Sequence, residues 1–301
     1  MAILIDKETT FIVQGITGRE AVSLTRENLA YGSKIVGGVT PGRAGRDVYG
    51  VPVYDCVRDI TAKTRVDGSV VCVPPKFTRD AVFEAIENGI KIIVVVTERI
   101  PRQEVAQMVE LAGLRGARII GPNCLGMITP GEVKMGGVGG PAEDTRKAYT
   151  RGSVGIMSRS GGMTTEIANT LTAAGLGQST AVSIGGDAII GTTYAELMPL
   201  FEADPETQAI AIYSEPGGRM EAELAEWVKE NNSRLPIVAF MAGRFMDEMP
   251  GMRFGHAGTI VEGKADTTAD KIERMTKSGI SVAERIEEIP ELIKQRLAEA
   301  S

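Results

Sequence analysis

Short runs of β-branched and aliphatic residues alternate with amphipathic segments of helical length along nearly the whole chain. Thr9 to Gln14 reads as a strand, Gly15 to Gly18 as a tight turn and Glu20 to Ala30 as a helix. The same alternation predicts strands at Lys34 to Gly37, Ser69 to Val73, Ile90 to Val96 and Ala117 to Ile120. Helices are expected at Cys56 to Thr64, Thr78 to Asn88 and Arg102 to Leu114. Pro101 suits a first helical turn, where a missing N–H costs nothing. Strands spaced by helices in this way build βαβ units around a parallel sheet.

After Gly121 the periodicity breaks into a stretch that runs to Arg151 and contains Gly136-Gly137-Val138-Gly139-Gly140-Pro141. Then it restarts. Strands are expected at Ser153 to Met157, Ser179 to Ile184, Ala209 to Tyr213, Ile237 to Met241 and Ile280 to Val282. The intervening helices fall at Met163 to Ala174, Thr193 to Ala203, Met220 to Asn231, Thr268 to Ser278 and Ile286 to Leu297. The pattern predicts an α/β chain of two parallel-sheet domains, residues 1–125 and 151–301, joined by a linker over 126–150.

Composition narrows the setting. With 43% hydrophobic and 24% charged residues the chain is an ordinary globular protein, neither disordered nor collagen-like. A formal charge of -6 argues against a general nucleic-acid or polybasic membrane binder, which needs a net positive face, but leaves room for a local basic site. Three scattered cysteines without a CxxC pair indicate neither a disulfide framework nor a zinc site. The N-terminal residues lack the pattern of a secretory signal, and the run Ile92 to Val96 is far short of the roughly 20 residues that span a bilayer. A cytoplasmic setting is expected. There is a single histidine, His256, which excludes a His-rich metal site and any mechanism with two imidazoles.

Three places carry candidate chemistry. Gly15-Ile16-Thr17-Gly18 between the first strand and helix lets backbone amides approach an anion at a helix N-terminus, although a plain βα turn reads the same way. An NAD site would place an acidic residue after the second strand to bind the ribose. Instead the chain offers Gly37-Gly38-Val39-Thr40-Pro41-Gly42-Arg43 and then Arg46, which favours a ligand with more phosphates, such as CoA. In the second half, Ser158-Arg159-Ser160-Gly161-Gly162 and Ser214-Glu215-Pro216-Gly217-Gly218 each follow a strand and open a helix, an arrangement suited to an anion. His256, in Gly255-His256-Ala257-Gly258, is either a structural residue or a nucleophile that Glu215 orients.

Taken in order, Gln14-Gly15-Ile16-Thr17-Gly18, Gly37-Gly38-Val39-Thr40-Pro41-Gly42, Gly121-Pro122-Asn123-Cys124, Ser158-Arg159-Ser160-Gly161, Ile184-Gly185-Gly186-Asp187 and Gly255-His256-Ala257-Gly258 resemble, nearly end to end, the α subunit of succinyl-CoA synthetase and related acid-CoA ligases. The resemblance implies a Rossmann-like CoA-binding domain followed by a flavodoxin-like domain. It implies His256 as phosphohistidine with Glu215 as its partner, and CoA against Thr17, Gly18, Arg19, Glu20, Arg43, Val73, Thr97, Glu98, Asn123 and Cys124. Phosphate and acid are expected at Ser158, Ser160, Gly161, Gly162, Thr165, Gly217 and Gly218. ATP or GTP with Mg²⁺ is expected on an ATP-grasp-type β subunit, in an αβ or α2β2 assembly. Thr165 stands where succinate enzymes commonly place a tyrosine, and Ser160-Gly161-Gly162-Met163 is similar to the loop of ATP-citrate lyase. Succinate is the first expectation for the acid, with malate, citrate and a non-catalytic CoA-binding role as alternatives.

Overall fold

The computed structural model describes residues 3–249, 252, 255, 256, 258, 259 and 267–300. Its first half contains the strands β1 (Thr10–Gln14), β2 (Lys34–Val39), β3 (Asp47–Val48), β4 (Val51–Tyr54), β5 (Gly68–Val71), β6 (Ile92–Val95) and β7 (Arg118–Ile120). They form one sheet in the order β3-β4-β2-β1-β5-β6-β7, parallel throughout except for the β3–β4 pair. Helices α1 (Arg19–Tyr31), α2 (Arg58–Thr61), α3 (Pro75–Glu87) and α4 (Arg102–Arg115) make the crossovers. Every residue of β5 is buried, as expected of a strand covered on both faces. Gly32 at φ 109° and Gly116 at φ 59° stop α1 and α4 in the left-handed conformation that glycine adopts freely.

The second sheet runs β14-β13-β12-β10-β11-β8-β9. Its strands are β8 (Gly126–Thr129), β9 (Val133–Gly136), β10 (Arg151–Ser158), β11 (Gln178–Ser183), β12 (Ala209–Ser214), β13 (Ile237–Met241) and β14 (Ser281–Ala283). Helices α5 (Ala142–Ala148), α6 (Gly161–Ala173), α7 (Tyr194–Ala203), α8 (Met220–Asn231), α9 (Thr268–Lys277) and α10 (Ile289–Ala300) accompany them. Side chains start several helices: Ser160 accepts from the Met163 amide, Thr193 and Glu196 form a reciprocal capping box, and Thr267 accepts from Asp270. The architecture is Rossmann-like and then flavodoxin-like, in line with the expected fold class.

The expected linker is corrected. Residues 126–150 hold the antiparallel β8–β9 hairpin, which extends the second sheet beyond β11, and then α5. Two glycines of this stretch, Gly126 and Gly136, sit where backbones meet too closely for a side chain. A Cβ on Gly126, at φ 88°, would lie 2.1 Å from the Met135 carbonyl oxygen. The outer strand β9 is closed by side chains from the first half. The Asn28 amide donates to the Gly136 carbonyl at 2.8 Å and accepts from its N–H at 3.3 Å, while the Ser33 hydroxyl does the same for Lys134 at 2.6 and 3.1 Å. Apolar packing continues across the join, since Gly68 of β5 leaves the space filled by Met135 of β9.

Both sheets reverse their winding at an inner strand. The first does so around β1 and β5, and the second around β10 and β12. Crevices outside the carboxyl ends of such strands are where open α/β sheets bind ligands. The loops at these ends are the Gly15 turn, the Ser158–Ser160 loop and the Ser214–Gly218 loop.

Candidate functional site

His256 and Glu215 meet although 41 residues separate them. The imidazole Nδ1 lies 2.9 and 3.0 Å from the two carboxylate oxygens. An ionised carboxylate only accepts, so the ring proton resides on Nδ1 and Nε2 keeps its lone pair when the ring is neutral. Glu215 is buried at the end of β12, and the His256 side chain is 27% exposed. The hydrogen bond and charge of Glu215 hold His256 above the ordinary histidine range, outweighing a burial that pulls the other way.

Small residues make room for this pair. A Cβ on Gly186 would lie 2.4 Å from His256 Cγ, so the imidazole rests directly on backbone. A Cβ on Gly258 would lie 2.3 Å from an Arg159 guanidinium nitrogen. Arg159 is buried and sits with Nε 3.4 Å from Glu215, close enough for ion pairing without the alignment of a hydrogen bond. Ala257 of the same motif lies outside the described residues.

A cleft of about 900 Å³ runs from the first sheet to this histidine. Its walls bring together Gly18, Arg19, Glu20, Val73, Thr97, Glu98, Asn123, Cys124, Ser160, Gly161, Gly162 and His256 from the sequence-expected set. Gly18 caps α1 without any side-chain hydrogen bond, which leaves the helix amides facing the cleft for an anion. Thr97 donates to the Val73 carbonyl at 2.7 Å and so fixes one wall to the other. Asn123 is held at φ 56° with its amide 3.0 Å from Asp187. Burial pushes the Cys124 thiol up to about 12, and its sulfur faces the Val95 and Ile120 carbonyls, so it is a neutral wall residue without nucleophilic character. A smaller cavity of about 370 Å³, bounded by Arg99, Arg102, Asp187 and Gly255, also reaches His256.

Other expected residues lie off this wall. Thr17 turns its hydroxyl to Thr40 at 3.2 Å, tying the first turn to the Thr40–Arg46 loop. Arg43 is exposed on that loop, whose Gly42, Arg43 and Ala44 amides all converge on Asp55 Oδ1. The Ser158 hydroxyl is spent on the backbone of Ser160. Thr165 faces away, bonded to the Tyr149 hydroxyl at 3.0 Å and the Gly139 amide at 3.2 Å. Gly217 and Gly218 shape the loop that carries Glu215, at φ 83° and 71°, without bordering the cleft. Sequence reasoning passed over Arg159, Asp187 and Lys271, whose ammonium donates to the Glu215 carbonyl at 3.1 Å, as members of this site. The first two stood inside quoted motifs, while Lys271 had no local signal.

Comparison with known proteins bears on the whole chain. The model of the CoA binding domain matches residues 6–99, and that of the CoA-ligase domain matches residues 157–280. The chain is 44% identical to ADP-forming succinate–CoA ligase subunit alpha 2 of Archaeoglobus fulgidus, over 99% of this chain and 100% of that one. It is 42% identical to the ADP-forming sulfoacetate-CoA ligase subunit SauD of Bilophila wadsworthia, over the same shares. Among solved structures, ATP citrate lyase of Methanosaeta concilii in complex with (3S)-citryl-CoA superposes with a TM-score of 0.91 at 25% identity. That match covers 99% of this chain, which spans about half (51%) of the longer polypeptide. Matched over both halves and aligned with curated relatives from end to end, the chain belongs to the CoA-ligase family, alongside the α subunits of ADP-forming succinate–CoA ligases.

Proposed function

We propose that the chain is the CoA-binding, phosphoryl-carrying α subunit of a nucleoside-diphosphate-forming carboxylate–CoA ligase. The observation that carries this reading is the position of its one histidine, with Nδ1 against the Glu215 carboxylate and the ring in the wall of the CoA-sized cleft. Glu215 keeps the proton on Nδ1, so Nε2 attacks the terminal phosphorus of a nucleoside triphosphate and the diphosphate leaves. A carboxylate oxygen of the acid then attacks that phosphorus, and the N–P bond breaks to return the imidazole. The deprotonated CoA sulfur attacks the acyl carbon, and phosphate departs. The N-terminus of α6, opened by Gly161 and Gly162 in the cleft wall, stabilises the anionic phosphoryl group.

CoA is assigned to the first-half end of the cleft, its phosphates toward the uncapped α1 N-terminus, Arg19 and the loop bearing Arg43. The nucleotide belongs on an ATP-grasp-type β subunit, where bound Mg²⁺ neutralises charge on the phosphates. The curated relatives are named for succinate and for sulfoacetate, two short carboxylic acids with a second anionic group. We assign the acid to that class, with succinate first and malate, citrate and sulfoacetate in the same panel. The free thiols suit the reducing cytoplasm, and no described helix is long and apolar enough to cross a membrane.

The test is reconstitution with a cognate β subunit, Mg²⁺ and labelled ATP or GTP. Acid-labile label is expected on the unmodified chain and none on His256→Ala, whose ligase turnover falls to background. Full turnover by His256→Ala would falsify the phosphohistidine route, and CoA binding without label under any nucleotide would mark a non-catalytic subunit.

A further inference from the structure

Behind Glu215 lies a buried ion pair that the proposed chemistry does not use. Lys271, on α9, is 2% exposed, and Glu221, in the first turn of α8, is fully buried. The Lys271 ammonium pairs with Glu221 Oε2 at 2.7 Å. Its other contacts go to backbone, the Glu215 carbonyl at 3.1 Å and the Gly217 carbonyl at 2.6 Å. All three ammonium donors are thereby used, two of them on the loop that carries the carboxylate facing His256.

This arrangement is not what stability alone would select. Glu221 Oε1 has no hydrogen-bond partner among the described residues, and a half-satisfied buried carboxylate is costly. The cost falls where geometry matters, because α9 is the first described helix after the histidine segment and α8 follows the Glu215 loop. One ammonium thus ties together the elements that flank both members of the pair. Arg159 reaches the same loop, Nη1 lying 3.5 Å from the Gly217 carbonyl.

We propose that Lys271 is a positioning residue for His256, acting through Glu215: by holding the Glu215 and Gly217 carbonyls it fixes the carboxylate that sets the imidazole's tautomer and orientation. The consequence for phosphoryl transfer rests on the ligase reading above, whereas the effect on the imidazole does not.

The charged groups around the ring are Glu215, Arg159 and Asp187, with Glu98 and Arg99 lining the cavities that meet there. Around Lys271 stand Glu221 and the loop, with buried Tyr194 close to Glu221. A test must therefore remove the grip without adding net charge. The double variant Lys271→Met with Glu221→Gln does this, deleting one positive and one negative group at nearly constant volume. In the ¹⁵N-labelled full chain the single imidazole gives one pair of ring signals. The double variant is expected to lower the His256 titration midpoint toward the free value of about 6.5 and to mix the two neutral tautomers. In the reconstituted complex its phosphorylation should slow by about tenfold to a hundredfold. A folded double variant with unchanged midpoint and tautomer overturns the proposal.

Should the variant not fold, the unmodified chain answers the same question. The Lys271 ammonium signal is expected to shift as pH crosses the His256 midpoint, and a signal flat across it overturns the coupling. If the ring responds as described but the wild-type complex never becomes phosphorylated, the positioning role stands and the ligase reading falls.

Discussion

At the scale of single residues, the proposed chemistry rests on the pairing of His256 with Glu215. Because the carboxylate raises the histidine's pKa, the ring remains cationic to a higher pH than a free histidine. The proposed nucleophile is the neutral ring. Phosphorylation should therefore rise with pH through the raised midpoint and level off above it. In Glu215→Gln the midpoint should fall, which increases the neutral fraction near pH 7. The rate should nevertheless drop by about a hundredfold or more, because neither the tautomer nor the cation formed on attack is supported. A pH–rate profile of label incorporation checks both effects, and an undiminished plateau in the variant would sink the assigned role of Glu215. The same pairing adds stability that is fully present below about 6.5, the ordinary value, and is lost as pH rises through the folded midpoint.

At the scale of elements, the β8–β9 hairpin depends on glycine at one particular place. Gly126→Ala would need a left-handed φ and would drive a methyl group into the Met135 carbonyl, so a loss of more than about 2 kcal/mol is expected by urea unfolding. The core strands were legible in the sequence because burial on both faces leaves unbroken apolar runs such as Ile92 to Val95. The hairpin was not. Each of its strands has a glycine at one end, and in sequence a glycine needed for close backbone approach resembles one in a flexible connection. The two-residue strand β3 left no period to detect. Of the site, the glycine-opened loops could be read directly, and the pairing of Glu215 with His256 across 41 positions was offered from the loop chemistry as one of two readings of the histidine, then implied by the family resemblance. Lys271 escaped because a lysine on an amphipathic helix ordinarily marks the solvated face, and here it points inward.

At the scale of the whole molecule, the two halves are one mechanical unit. The Thr129 hydroxyl donates to the Ile5 carbonyl, the Ala142 amide to Glu27 and the Gly131 amide to the Tyr31 hydroxyl, alongside the contacts that Asn28 and Ser33 make with β9. Urea should therefore unfold the chain in a single transition. Asn28→Ala, which strands both polar groups of buried Gly136, should cost about 2 kcal/mol or more and separate the fluorescence and circular dichroism midpoints. Coincident midpoints in the variant would show that this contact does not couple the halves. The closed margin of β9 also limits how the protein can assemble. Both outward-facing residues of the strand already have their amides and carbonyls occupied by side chains, so an incoming strand finds no ladder to extend. Growth of the sheet into a neighbouring copy is blocked along this border, and a partner subunit approaching from that side must bind through side chains, not by donating a strand.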